Sequence, residues 1–200
     1  MTIETNVHRE SRLAKLKALQ DKGYNPYPYR FRPDAFAADL QEKYKELEPG
    51  ADTEDRVTVA GRAMAVRNNG MFIDIKDISG KIQAFCHKNH LSEEDIERLK
   101  CLDVGDMVGI SGYVRRTPRG ELSIAAEKFD IISKSLQPLP EKFHGLTDKE
   151  IRYRQRYVDL IVNPDVKKAF VMRSKFIRHM RNYLDGRGYI EVETPVLNTI

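Results

Sequence analysis

The amino-acid sequence predicts an α+β fold in which a region of short strands lies between two helical regions. Three observations predict it. Apolar residues recur with the period of a helix from Val7 to Lys22, and the pattern changes to strict alternation from Arg56 onward. After the proline-containing segment 136–140 the helical period returns and continues to Asp185.

The composition is that of a globular chain with a modest positive charge. Hydrophobic residues make up 40% of the 200 residues, charged residues 32%, and the net charge is +4. No apolar run reaches the roughly 20 residues that cross a bilayer, and residues 1–6 lack the layout of a signal peptide. We therefore expect a cytoplasmic protein with no membrane partner. The charge permits a polyanionic partner without requiring one.

Cysteines and histidines give no sign of a metal or catalytic centre. Cys86 and Cys101 form neither a CxxC pair nor a disulfide framework, and their positions in apolar patterns predict reduced thiols. His144 and His179 are isolated in the sequence. We therefore assign no catalytic residue, metal ligand or cofactor to these 200 residues.

The first 55 residues are predicted to form a helical extension. A helix from Val7 to Lys22 carries three leucines on one stripe and basic residues elsewhere, and Gly23 ends it. A proline-stiffened connector, 25–29, precedes a second helix from Asp34 to Leu47. Two interpretations of the basic residues stay open. They form either a solvated charged face or a basic arm along a phosphate backbone.

Three strands follow, joined by tight turns. Asn68-Asn69-Gly70 is typical of a hairpin between the first two strands, and residues 77–80 turn into the third. Alternation assigns one side chain in two to the interior. The predicted inward residues are Val57, Val59, Ala63, Ala65, Met71, Ile73, Ile75, Ile82, Ala84 and Cys86.

A short helix and two more strands complete this region. Ser92 is placed to cap the helix, with Asp95 three residues later. The fourth strand is predicted from Met107 to Thr117, and the fifth from Glu121 to about Ile132. Three strands, a helix and two strands are the order of an OB-fold, a five-stranded β-barrel that binds oligonucleotides on its strand 2–3 face. We assign residues 56–133 to this domain.

The remainder divides into a linker, 134–147, and a helical segment, 148–200. Asn163-Pro164 breaks the helical run, and the second helix continues to Asp185. Gly186 and Gly188 then form a turn into a strand that Pro195 closes. Because these elements cannot bury their apolar faces alone, we expect them to be the truncated start of a larger domain.

A group of arginines in the segment allows two interpretations. Arg152, Arg154 and Arg156 alternate with tyrosines and could form a nucleic-acid patch. On a continuous helix, however, Tyr153, Tyr157 and Leu160 would share one face, and the arginines would spread around the helix. We favour a structural role, with Asp159 pairing with an arginine one turn away.

The strand 2–3 face carries the candidate binding residues. Alternation places Phe72 with Asp74, and Gln83 with Phe85, opposite the inward residues. An exposed ring can stack on an unpaired base, and a carboxamide can read its Watson–Crick edge. The alternative is that Phe72 or Phe85 packs under the N-terminal helices. Two charged residues join this face: Glu121, which can accept from a base N–H, and Arg67, which can stack on a base or hold a phosphate.

Two segments resemble class II aminoacyl-tRNA synthetases. Residues 186–197, with the helix before them, are similar to motif 1, which builds the dimer interface of that class. The block Phe143–Ile161 and the Asn25–Pro28 segment are similar to the lysyl branch. The resemblance implies an OB-fold that reads the anticodon, with Phe72, Gln83 and Glu121 holding the central uridine and Arg67 in the same pocket. It also implies a homodimer in which Gly188 and Pro195 lie at the interface.

The resemblance further implies a parent enzyme that activates lysine with ATP and Mg²⁺ and transfers it to tRNA(Lys). Motifs 2 and 3 of that class would lie beyond Ile200, so we expect this chain to bind the tRNA(Lys) anticodon loop without catalysing. No cofactor is expected in the fragment itself. Two alternatives stay open: an aspartyl or asparaginyl enzyme, and a stand-alone OB-fold module that binds nucleic acid.

Overall fold

The computed structural model describes residues 3–140 and 146–195, and the side chains from Val7 onward. The chain divides into two compact units, residues 1–138 and 139–200. The first unit contains the helices α1 (Ile3–Asp21), α2 (Ala37–Lys43) and α3 (Glu93–Lys100). Its strands are β1 (Asp52–Arg67), β2 (Phe72–Lys76), β3 (Lys81–Phe85), β4 (Met107–Arg116) and β5 (Leu122–Ser133).

The five strands close into a barrel in the order β1-β2-β3-β5-β4. Every neighbouring pair is antiparallel except β3 and β5, which are parallel. The predicted α+β fold and OB-fold barrel are therefore confirmed. The barrel interior is filled by apolar side chains that are at most 1% exposed: Val59, Ile73, Ile75, Ile82, Val108, Ile110, Val114, Ile124, Phe129 and Ile131.

The connection from β1 to β2 is a turn in the left-handed region. Asn68 (φ 50°), Asn69 (φ 54°) and Gly70 (φ 92°) adopt positive φ in succession. Asparagine tolerates this conformation better than other side chains, and glycine adopts it without cost. The predicted turn is thus confirmed. Met71, predicted to face inward on β2, instead ends this turn and is partly exposed.

Helix α3 begins as its capping residues predict, and one of them also ties the helix to the barrel. The Ser92 hydroxyl accepts from the Asp95 backbone N–H at 3.1 Å and donates to the Asp95 carboxylate at 2.6 Å. The same carboxylate accepts from the Phe129 backbone N–H at 3.2 Å and from Arg98 at 2.5 Å. The cap therefore fixes α3 against β5.

Helix α1 is held against the barrel by buried charges, which neither sequence interpretation anticipated. Arg12, only 8% exposed, donates to the backbone carbonyls of Ser135 and Val104, both at 2.9 Å. Lys15 pairs with Asp103 at 2.7 Å. These two basic residues thus hold α1 in place and do not form a solvated face or a free arm.

The same cluster contains an ammonium group with no exposed surface. Lys134 lies 2.5 Å from Asp103 and 2.7 Å from Asp106, and the side chains of Lys134 and Asp106 are 0% exposed. Charges this deeply buried are tolerated because they are paired. The cluster joins the end of β5 to the loop before β4.

Removing this ammonium group should destabilise the first unit strongly. We predict that Lys134→Met lowers the free energy of unfolding by about 3–5 kcal/mol, because it leaves buried carboxylates without their counter-charge. The matched control is Lys128→Met. Lys128 is 61% exposed and 3.5 Å from Asp130, so its loss should cost about 0–1 kcal/mol. Urea denaturation measures both, and equal losses would contradict the assigned role.

The second unit consists of the helices α4 (Lys149–Arg154), α5 (Arg156–Val162) and α6 (Pro164–Asp185). The predicted break at Asn163-Pro164 is confirmed. A further break at Gln155, where φ is −113° and ψ is 54°, separates α4 from α5. Tyr153 and Tyr157 therefore lie on different helices, and both are largely exposed. Their predicted common face with Leu160 is wrong.

The carboxylate of Asp159 organises the junction of these helices. It is fully buried and accepts from Arg152 at 3.0 Å, from Asn163 at 2.6 Å and from Arg156. Burial opposes its ionisation, but these hydrogen bonds and the two cations lower its pKa. The predicted pairing of Asp159 is confirmed, with two arginines where one was expected.

The segment after α6 differs from its prediction. Gly188 has φ 80°, and the Tyr189 backbone N–H donates to the Leu184 carbonyl at 3.2 Å, so the predicted glycine turn is present. The predicted strand is wrong for the described residues up to Pro195, which lie in no β ladder. A strand forms only with a partner for its backbone groups. Phe143, His144 and Gly145 of the resemblance block, and residues 196–200, lie outside the described residues.

Among the helices that the structure describes, none has the length and apolar character needed to cross a membrane.

Candidate nucleic-acid interface

The four predicted binding residues lie together in one cleft on the outer face of the barrel. The cleft has a volume of about 870 Å³. Its lining residues come from the end of β1 and the turn after it, from β2, β3 and β4, and from the turn before β5: Arg67, Asn68, Phe72, Lys81, Gln83, Phe85, Arg115, Thr117, Pro118, Arg119 and Glu121. That these residues bind a nucleic acid stays a prediction.

Two phenylalanines form the apolar part of the cleft. Phe72 on β2 and Phe85 on β3 are directly paired across the strands, and their ring centroids are 5.2 Å apart at an interplanar angle of 36°. Both rings are partly exposed and border open space. They are therefore not sealed under the N-terminal helices, which was the alternative interpretation.

The carboxamide of Gln83 is oriented by a buried serine. The Ser123 hydroxyl on β5 donates to the Gln83 Oε1 atom at 2.9 Å, and Ser123 is 0% exposed. Gln83 itself is 8% exposed but lines the cleft. Because Ser123 uses the amide oxygen, the amide N–H groups remain as donors for a ligand.

The carboxylate of Asp74 fixes two cations at the rim of the cleft. Arg67 donates to both of its oxygens, at 3.0 and 2.8 Å, and Lys81 lies 3.1 Å away. Burial of Asp74 opposes its ionisation, but these hydrogen bonds and charges outweigh burial and lower its pKa. The sequence analysis offered Arg67 for stacking or for phosphate binding. In the structure, two hydrogen bonds to Asp74 hold the Arg67 guanidinium, and about half of the Arg67 side chain remains exposed.

The opposite wall is the turn between β4 and β5. The Glu121 backbone N–H donates to the Thr117 hydroxyl at 3.1 Å, and the Thr117 N–H donates to the Glu121 carbonyl at 2.9 Å. This turn places the exposed side chain of Glu121 at the cleft. In the part of the chain that the structure describes, its carboxylate accepts no hydrogen bond. It is therefore available to a ligand donor.

Sequence reasoning missed the rim cations Lys81 and Arg119, and it also missed Ser123 and Arg115. Ser123 lies beside Gln83 only because β3 and β5 pair in parallel, with Gln83 opposite Ser123. Arg115 lies opposite Ser123 on β4, with its guanidinium 5.2 Å from the Phe85 centroid. Alternation with Leu122 and Ile124 could have assigned Ser123 to the outer face. Its contact with Gln83 required the barrel topology.

Comparison with known families agrees with this geometry. Residues 57–132 match the family model described as an OB-fold nucleic acid binding domain. Residues 148–200 match the model of class II tRNA synthetases (D, K and N). The chain is similar to curated lysine–tRNA ligases. Because the first match covers the barrel that carries the cleft, the matched region contains the whole candidate site.

Curated lysine–tRNA ligases match almost the whole chain. That of Rhizobium etli (strain CIAT 652) is 48% identical over 191 residues, which are 96% of this chain and 38% of the relative. That of Oceanobacillus iheyensis is 46% identical over 207 residues, covering 100% of this chain and 41% of the relative. The lysine–tRNA ligase of Syntrophomonas wolfei is 48% identical over 194 residues. The chain thus spans about two fifths of the length of these relatives.

The lowered pKa of Asp74 predicts a pH-dependent contribution to stability. A depressed carboxylate pKa stabilises the fold above the unfolded value of about 3.9, and the contribution is lost as pH falls through the folded value. We predict that Asp74→Asn lowers the free energy of unfolding at pH 6.5, and that its difference from the unsubstituted protein shrinks as pH falls below about 4.

Urea denaturation at a series of pH values measures this difference. The control is Asp21→Asn, because Asp21 is exposed and forms no ion pair with the described residues. Its effect should stay within about 0.5 kcal/mol at every pH. A difference for Asp74→Asn that does not change with pH would argue against the ionised pairing.

Proposed function

We propose that the barrel binds the anticodon loop of tRNA(Lys) as part of a lysine–tRNA ligase. One observation carries this proposal. The Gln83 amide, oriented by Ser123, lies in one cleft with an accessible phenylalanine and with the Glu121 carboxylate, which accepts no hydrogen bond from the described residues. The barrel that carries this cleft matches a nucleic-acid-binding domain, and the chain is similar to lysine–tRNA ligases. Stacking and edge-on hydrogen bonding are the means by which proteins read unpaired bases.

The polar groups of the cleft suit uracil. A uracil edge presents carbonyl oxygens and one N–H, which are complementary to the Gln83 amide donors and to the Glu121 carboxylate. Cytosine reverses this pattern, because its ring nitrogen accepts and its exocyclic amine donates. A cytosine would therefore leave Glu121 facing an acceptor, and the mismatch is a source of discrimination. The base would stack on Phe72, as in single-strand binding proteins.

The cations around the cleft suit the RNA backbone. Arg67 and Lys81 are held by Asp74, and Arg119 is exposed on the opposite turn. Phosphate contacts give affinity and orientation, while base contacts give specificity. In this arrangement the rim would bind phosphates, and the floor would read the base.

For the whole protein we propose the reaction of its relatives, the attachment of lysine to tRNA(Lys) in the cytoplasm, with activation of lysine by ATP and Mg²⁺. The described residues contain no group of three or more His, Cys, Asp or Glu side chains that could hold a metal ion. We therefore assign no step of that reaction to them. The proposed domains are residues 1–55, 56–133 and 148–200, with 134–147 as the linker.

We propose a homodimer from the exposure of α6. No residue of α6 is buried, and its exposed apolar side chains include Phe170, Val171, Met172, Phe176, Met180, Tyr183 and Leu184. A contiguous apolar surface of this kind is covered either by the rest of a larger domain or by another subunit. The same surface of a second copy, with Gly188 and Pro195 in the contact, would cover it in a symmetric dimer.

Removing the Phe72 ring tests anticodon recognition. We predict that Phe72→Ala weakens binding of a tRNA(Lys) anticodon hairpin by about 1–3 kcal/mol, which is the cost of a lost stacking contact. Tyr29→Ala is the control, because Tyr29 is fully exposed and lies outside the cleft. Fluorescence anisotropy at fixed salt gives the dissociation constants.

Base changes in the hairpin separate the candidate functions. Replacing the central uridine with cytidine should weaken binding, and sensitivity at all three uridines indicates lysine. Sensitivity at the central position alone would indicate the aspartyl or asparaginyl branch. Equal affinity for unrelated single strands would indicate a general nucleic-acid-binding module and would refute the proposal.

The dimer is tested by sedimentation velocity. We predict that Phe176→Glu shifts the chain toward the monomer, because it introduces a charge at the centre of the apolar surface of α6. Val7→Glu, a change at an exposed apolar residue of α1, should leave the distribution unchanged. An unsubstituted chain that is monomeric at all concentrations would contradict a dimer formed by these residues.

A further inference from the structure

We propose that His87, His90 and Tyr113 form a second base-stacking subsite, which takes the nucleotide next in the strand to the one on Phe72. The proposal rests on the proposed function, since its ligand is the same single-stranded RNA. It concerns residues that take no part in the contacts proposed above between the cleft and uracil.

The rings form a continuous row that leaves the cleft. Phe85 stacks on His87 with centroids 5.7 Å apart and an interplanar angle of 29°. His87 and His90 are 5.9 Å apart, and His90 and Tyr113 are 6.3 Å apart, both pairs edge to face. With Phe72 at the other end, five rings follow one another. This row extends beyond the area of a single base.

The barrel register explains why the row is continuous. Phe72 pairs with Phe85, Phe85 with Ala125, and Ala125 with Tyr113, so these residues form one line across β2, β3, β5 and β4. Ala125 supplies only a methyl group to this line and is 1% exposed. The two histidines, which follow β3 in the chain, therefore bridge the space between Phe85 and Tyr113.

The loop that carries the histidines is held in place by its backbone. The Cys86 N–H donates to the Met71 carbonyl at 2.8 Å, and the His90 N–H donates to the His87 carbonyl at 3.0 Å. The His87 Nδ1 atom accepts from the Asn89 N–H at 3.3 Å. His87 and Tyr113 are partly exposed and His90 is exposed. Their accessible surfaces are thus presented from an ordered loop.

The chemistry of this row favours a base over a peptide or a small metabolite. Planar rings with open edges offer stacking to any nucleobase. Lys88, exposed within the same loop, forms no ion pair with the described residues and is placed to meet a phosphate. An OB-fold commonly contacts several successive nucleotides. A second subsite continuous with the first one fits that mode of binding.

A double-mutant cycle on the 200-residue chain tests the subsite. The ligands are a tRNA(Lys) anticodon hairpin and two derivatives in which the nucleotide on either side of the central uridine is abasic. We expect one abasic derivative to bind the unsubstituted chain about fivefold or more weakly, the effect of one lost stacking contact. The His87→Ala/His90→Ala variant should bind the intact hairpin about equally weakly, and that abasic change should then have no further effect.

Two further variants make the result specific. Asn89→Ala, between the histidines, should bind like the unsubstituted chain. His87→Phe/His90→Phe should retain affinity and the abasic effect, because it keeps the rings and removes their nitrogen atoms. Unfolding midpoints matching that of the unsubstituted chain confirm that each variant is folded.

The outcomes separate this proposal from the proposed function. The subsite is supported if the abasic change weakens binding by the unsubstituted chain but has no further effect on binding by the His87→Ala/His90→Ala variant. Unchanged binding by the alanine variant, or an abasic effect that persists in it, overturns the subsite even if the central uridine is still discriminated. Insensitivity to the central uridine refutes anticodon reading instead, while the coupling between the histidines and the neighbouring base would still stand.

Discussion

The parallel pairing of β3 with β5 is the contact on which the site depends. It closes the barrel and places Gln83 opposite Ser123 and Phe85 opposite Ala125. A shift of one residue would turn Leu122 and Ile124 outward and Ser123 into the core, because side chains alternate along a strand. The packing of Leu122 and Ile124 in the hydrophobic core therefore fixes the register. The orientation of the Gln83 amide follows from barrel packing and not from any local feature of β3.

Two groups of paired charges in the first unit have different roles. The ion pairs of Lys134 with Asp103 and Asp106 hold the loop before β4 to the end of β5, and Asp103 also holds α1 through Lys15. Asp74 is also buried, yet its partners Arg67 and Lys81 are about half exposed. A carboxylate below the rim thus holds cations in fixed positions while leaving their outer edges to solvent. Pre-positioned cations lose less conformational entropy when they meet a phosphate.

Alternation in the sequence predicted the barrel well because it reports which side of a strand is buried. Ile73, Ile75, Ile82 and Ala84 are all at most 1% exposed, and the opposite faces carry the cleft. The same patterns could not show pairing between distant strands. They therefore did not predict the contact of Ser123 with Gln83 or the row of rings from Phe85 through the histidines to Tyr113. They also could not show that Arg12 is buried, since its partners are backbone carbonyls more than 90 residues away in sequence.

The two units bury apolar surface to very different degrees, for a physical reason. A closed barrel satisfies all of its strand edges and encloses its own core. A long helix satisfies its backbone internally but leaves its side chains uncovered, and no residue of α6 is buried. Helical periodicity predicted α6 correctly because the helix needs no partner for its hydrogen bonds. The strand predicted up to Pro195 needs one, which is why the same kind of pattern failed there. An apolar surface such as that of α6 calls for another surface to cover it, which the rest of a larger domain or the symmetric contact of a second copy would supply.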